Sequence, residues 1–106
     1  MSDREPKVFA LPARVDSSSA AGFETDVLAA IVGEGTRLIM DFASTTYMSS
    51  AGLRVVLLAA KKLKASGGDL VLCNLGAPIM EIFRVSGFAR ILTFAPDLAT
   101  AHDTFR

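Results

Sequence analysis

The chain has 106 residues, 51% of them hydrophobic and 21% charged, which suffices for one domain whose core needs neither metal nor crosslink. Its 11 Lys and Arg balance its 11 Asp and Glu, so it lacks the excess positive charge that marks a nucleic-acid binder or a protein docked on an anionic membrane. The single cysteine, Cys73, excludes an internal disulfide and fits a reducing compartment.

Residues 1–6 read as a flexible leader. The opening MSDREPK has no apolar signal-peptide core, and no apolar run reaches the roughly 18 residues a bilayer span requires. A cytoplasmic protein without direct membrane insertion is therefore expected. KVFAL, stopped by Pro12, predicts a short strand at a sheet edge. VDSSSAAGFETDVLAAIVGEG begins with helix-capping residues and ends on Gly33 and Gly35. Within it Phe23, Val27, Ala30 and Ile31 follow helical spacing toward a core.

TRLIMDF is an uninterrupted apolar run of strand length, as expected for a strand covered on both faces. The next helix runs from about Ser50 to Ala65 and ends at SGG. Steps of about 100° place Leu53, Val56, Leu57, Ala60 and Leu63 on one side, with Arg54, Lys61 and Lys62 on the other. Val55 and Leu58 point with the charged residues. They form either an apolar contact patch with a basic rim or a surface covered by a neighbouring helix.

DLVLCNL predicts a second buried strand, with Cys73 a small buried residue in it. APIMEIFRVSG predicts a helix with Pro78 in its first turn and Gly87 at its end. ARILTF predicts a last short strand, and APDLATAHDTFR a terminal helix capped near Asp97. Strands alternating with helices imply an α/β domain with a largely parallel sheet.

Chemistry concentrates at TTYMSSAGLR, where a strand-like segment passes into a helix and presents Ser49 and Ser50. A catalytic serine needs a base, and the one histidine, His102, lies far off in the terminal helix. Met48 stands where a nucleophile elbow needs glycine. One His, one Cys and scattered carboxylates supply no metal set, and one glycine supplies no phosphate loop. No enzyme, metal or cofactor is expected. Either serine serves as an N-cap, contributing about 1 kcal/mol. A hydroxyl there is also a site for a phosphoryl group, whose charge of about −1.5 to −2 the helix N-terminus favours. Small Ala51 and Gly52 would admit a partner's backbone.

The segment LIMDFASTTYMSSAGLRVVLLAAKKLKASGGDLVLCNL resembles the core of STAS domains, in particular the stand-alone anti-sigma-factor antagonists. That family shows a strand ending in Asp, a polar stretch, an aromatic and an apolar residue. Asp or Ser, the phosphorylatable Ser, a small residue and Gly-Leu follow. Asp41, Tyr47, Met48, Ser49, Ser50, Ala51, Gly52 and Leu53 fall on those positions. IFRVSGFARILTF is similar to the family's final turn and strand, and LPARVDSSSAAGFE to the segment that brings an Asp, here Asp16, near the acceptor.

The resemblance implies a single STAS-like domain over 7–106, with a mixed, mostly parallel sheet of about four strands and helices mainly on one face. It implies partner switching. The unmodified protein binds an anti-sigma factor that is also a serine kinase and releases the sigma factor. Phosphorylation of Ser50 blocks binding, and a PP2C-type phosphatase restores it. The partner surface would comprise Asp16, Met48, Ser49, Ser50, Gly52, Arg54, Val55 and Leu58, with Asp41 and Leu53 structural, on a monomer or weak dimer. Two features depart from the pattern. Ser49 replaces the Asp common before the acceptor, leaving Ser49 open beside Ser50 as the modified residue. The short N-terminus leaves room for one strand where two are usual, so the sheet would lack an edge strand. A rival implication is a STAS subunit or adaptor of an ABC-type lipid transport complex.

Overall fold

The two apolar runs at the middle of the chain become the two central strands of a parallel sheet in a computed structural model, which describes residues 5–105. In chain order the elements are β1 (Lys7–Ala10), β2 (Arg14–Val15), α1 (Ala20–Ala30), β3 (Arg37–Asp41), β4 (Tyr47–Met48) and α2 (Ser50–Ala65). There follow β5 (Asp69–Cys73), α3 (Ala77–Ser86), a 3₁₀ turn (Phe88–Arg90), β6 (Thr93–Ala95) and α4 (Leu98–Thr104). Four strands pair in the order β1-β3-β5-β6, all parallel, and β2 pairs with β4 in a separate two-stranded ladder. Of the leader expected over 1–6, residues 1–4 lie outside the described residues.

The period of two along β3 and β5 divides their side chains between two cores. Leu38, Met40, Leu70 and Leu72 join Phe23 and Val27 of α1, Val56 and Leu63 of α2, and Ile79 and Phe83 of α3. Ile39, Val71 and Cys73 face the other way, against Ala95 and Ala101 of α4. Three helices thus cover one face of the sheet and a single short one covers the other. Both central strands are buried on both sides, which is why they read as continuous apolar runs. On the larger side Phe83 makes edge-to-face contacts with Phe42 and Phe94, at centroid distances of 6.1 and 5.7 Å, and so locks α3 onto the sheet.

The helix signals hold. Pro78 sits in the first turn of α3, and Asp97 accepts a hydrogen bond from the Thr100 amide at 2.8 Å to start α4. Phe23 and Val27 are buried, and Ala30 and Ile31 pack partly against the same core. β1 lies at the sheet edge as KVFAL suggests, with Val8 exposed.

Three expectations are corrected. The segment ARILTF is a strand only from Thr93, because Gly87 turns the chain at φ +85° into the 3₁₀ turn before β6 can reach β5. Ile91 is left 69% exposed. The N-terminal segment forms two strands, not one, the second being a two-residue piece that leaves the main sheet to pair with β4. Val55 is buried, at 5% exposure, together with Ala59. The helical projection assumed one buried side, but α2 packs against α1 as well as the sheet and buries a wider arc.

Candidate functional site

The β2–β4 ladder fixes the place where α2 begins. Buried Thr45 donates its hydroxyl to the Pro12 carbonyl at 2.9 Å, and the Thr46 amide donates to the Ala13 carbonyl at 2.8 Å. Arg14 then lies opposite Tyr47 and Val15 opposite Met48. The Ser49 amide donates to the Val15 carbonyl at 2.7 Å, which extends the pairing to the edge of the helix. The chain after Val15 is thereby held beside the first turn of α2.

The two serines divide the work. Ser49 is the N-cap, with φ −84° and ψ 172°, and its Oγ accepts from the Gly52 amide at 3.3 Å. Its carbonyl accepts from the Leu53 amide at 3.0 Å. Ser50 is the first helical residue and is exposed. Its hydroxyl has no hydrogen-bond partner among the described residues, and neither do the amides of Ser50 and Ala51. These unpaired donors make this end of α2 locally positive.

Asp16 follows Val15 and so lies beside that end. Its Oδ1 accepts from the Ser18 hydroxyl at 2.7 Å and from the amides of Ser18 and Ser19, both at 3.1 Å. The Ser18 hydroxyl, followed by the Ser19 amide, holds the carboxyl below its ordinary pKa and keeps it charged. Arg14 lies 3.8 Å from the same carboxylate, with its guanidinium 4.5 Å from the centre of the Tyr47 ring. Asp41 accepts from the Ala43 amide at 2.9 Å and from the Asn74 side chain at 3.0 Å, so it ties the loop after β3 to the end of β5. Asn74 reaches it from a left-handed backbone, φ 61°, a conformation asparagine tolerates.

Not every residue assigned to the surface reaches it. Met48 is 3% exposed and Gly52 is buried. A Cβ on Gly52 would lie 2.6 Å from Val15 Cγ1 and 3.2 Å from Met48 Cγ. The space that a partner's backbone was expected to use is therefore filled by the chain's own β2 side chain. Met48, Gly52, Val55 and Leu53 are packed inside, whereas Asp16, Ser49, Ser50 and Arg54 remain accessible and Leu58 is half-buried. Conversely, Arg14 and Tyr47 stand exposed beside the serines. Alternation of outward Arg14 and Tyr47 with inward Val15 and Met48 was a legible signal, but two residues are too few to declare a strand.

Chemically the site presents, at a positive helix end, a hydroxyl that is hydrogen-bonded to no histidine or carboxylate among the described residues. His102 lies on α4, across the sheet from α2. Cys73 is fully buried, and burial, with smaller contributions from Asp41 and Asp97, pushes its thiol up to about 11. No cluster of three His, Cys, Asp or Glu able to hold a metal occurs among the described residues. No helix among them is long and apolar enough to cross a membrane.

Comparison with known proteins bears on the family and the fold. A family model described as the STAS domain matches residues 2–101. BtrV of Bordetella bronchiseptica, named as a candidate anti-sigma factor antagonist, is 39% identical over 92 residues, spanning 87% of this chain and 79% of its own. The solved structure of an anti-sigma-factor antagonist (STAS) domain protein from Planctomyces limnophilus superposes with a TM-score of 0.86 at 15% identity, over 97% of this chain and 92% of its own. Phosphorylated SpoIIAA of Bacillus, described as a cell fate determinant, gives 0.72 at 26% identity, over 100% and 96%.

Proposed function

The chain belongs to the STAS domain family, and from that premise we propose that it is an anti-sigma-factor antagonist whose docking surface is switched by phosphate on Ser50. It acts by binding, not by catalysis. In the unmodified state the surface around Ser50, with Arg14, Tyr47 and Arg54 exposed and Asp16 and Ser49 half-buried about it, binds an anti-sigma factor that is also a serine kinase. The bound anti-sigma factor then releases its sigma factor. A PP2C-type phosphatase resets the modified form, and the cycle runs in the cytoplasm.

One observation carries the choice of acceptor. Ser49 holds the cap, while the Ser50 hydroxyl is exposed and engaged with nothing among the described residues. Phosphorylating Ser49 would withdraw the cap, whereas phosphorylating Ser50 leaves every described hydrogen bond intact. The added group brings a charge of about −1.5 to −2 beside free helix amides, which favour it in the free protein. Burying that dianion unpaired against a partner costs several kcal/mol, enough to lower occupancy by orders of magnitude. Affinity is switched without any movement of the fold.

The test combines labelling and binding. Incubation with the cognate kinase and ATP should place one phosphate on the tryptic peptide containing Ser50, and Ser50→Ala should abolish it. Titration with the anti-sigma factor should give tight binding for wild type and Ser50→Ala and loss of at least about tenfold for Ser50→Asp. Phosphate on another residue, or equal binding by all three, overturns the proposal. Recovery of transporter subunits with the anti-sigma factor absent points to the adaptor alternative instead.

A further inference from the structure

We infer that α2 carries a second docking site, a groove that receives an acidic amphipathic helix of a partner protein. The groove has a volume of about 790 Å³ and lies between α2 and the segment that runs from the 3₁₀ turn toward β6. Leu57, Leu58, Ile91 and Leu92 supply its apolar surface. Ile91 is 69% exposed, a large aliphatic side chain that none of the described residues covers. The chain leaves it there because Gly87 diverts residues 88–92 away from the sheet.

Charge identifies the occupant. Arg54, Lys61 and Lys64 line the groove, and among the described residues no carboxylate does. None of the three has an ion-pair partner among the described residues. In a chain of zero net charge this is a local excess of three positive charges beside an apolar surface. The cations are spread from Arg54 to Lys64, about 15 Å along the helix axis. A fatty acid has one anionic end and would use one cation. An amphipathic helix of about three turns, apolar along one side and acidic beside it, meets all three while its apolar stripe fills the floor. The groove begins one turn beyond Ser50 and lies along the outer side of α2, so it extends the chain's recognition surface away from the switch.

The experiment uses the whole chain, ¹⁵N-labelled, and a synthetic peptide of about 12 residues with Leu at helical spacing and Glu flanking the Leu stripe. A control peptide carries Lys at each Glu position. The acidic peptide should shift the amide signals of α2 and residues 88–92, and bind at least about tenfold more tightly than the basic one. Ile91→Asp, a change at an exposed position, should weaken it by a similar factor, and the triple variant Arg54→Glu, Lys61→Glu, Lys64→Glu should reverse the preference. The reversal keeps the test decisive even where Ile91→Asp disturbs folding. Equal affinity for both peptides overturns the inference, as does a shift pattern confined elsewhere. Laurate perturbing the groove when the acidic peptide does not would assign it to a small amphiphile. Concentration-dependent self-association abolished by Ile91→Asp would assign it to a second copy of this chain. Ser50 takes no part in these measurements, so their failure leaves the phosphate switch untouched.

Discussion

At the scale of single residues the junction depends on two adjacent serines that differ only in what they bond. Ser49 Oγ holds the Gly52 amide, and Ser50 Oγ holds nothing among the described residues. Removing the first should therefore cost stability and removing the second should not. Ser49→Ala is expected to lower unfolding free energy by about 1 kcal/mol, and Ser50→Ala to leave it within about 0.5 kcal/mol. Urea unfolding followed by circular dichroism measures both. A larger loss for Ser50→Ala would mean that its hydroxyl carries a structural contact and is less free to act as an acceptor. The sequence could nominate the pair but not divide it, because either serine is an equally good N-cap by residue type. Only the backbone at Ser49, extended at ψ 172° before the first turn, separates them.

At the scale of elements, the start of α2 is defined by contact with β2. Val15 Cγ1 occupies the volume a side chain on Gly52 would need. Gly52→Ala should thus force β2 and α2 apart and destabilise the chain by about 1–3 kcal/mol. Val15→Ala in the same molecule should restore part of that loss, beyond the sum of the single changes. Thermal melts of the two single variants and the double variant test the coupling, and strict additivity would exclude the contact as the cause.

This junction also marks where sequence reading stops. β3 and β5 were legible because burial on both faces leaves an apolar run that few other structures produce. β2 and β4 were not, since two residues show no period and their pairing joins positions 33 apart. Val55 was misplaced for a related reason: a helical wheel shows which residues share a side, not how many neighbours press on the helix. The surface role of Gly52 failed likewise, because a small residue admits either a partner or the protein's own side chain. Ser50 and Asp16, named from resemblance, and Arg54, named from helical spacing, stand exposed or half-exposed around one helix end.

For the whole molecule, a thiol buried in the smaller core contributes to the alkaline response. Cys73 sits in the smaller core, and its thiol is raised from an ordinary 9.0 to about 11, chiefly by burial. A thiol whose pKa is higher when folded favours the native state fully below the unfolded value, and that contribution disappears as pH rises through about 11. Stability should decline above about pH 9, and Cys73→Ala should flatten that decline relative to wild type. Denaturant midpoints measured across the alkaline range check this, and identical slopes for the two proteins would overturn it.

The thin layer behind the sheet has a practical meaning as well. One seven-residue helix, α4, shields Cys73 through Ala101, while three helices guard the opposite side. A thiol reagent can therefore act as a clock for the back door alone: the speed at which Cys73 is alkylated in native buffer times the lifting of α4, with the front of the molecule still closed.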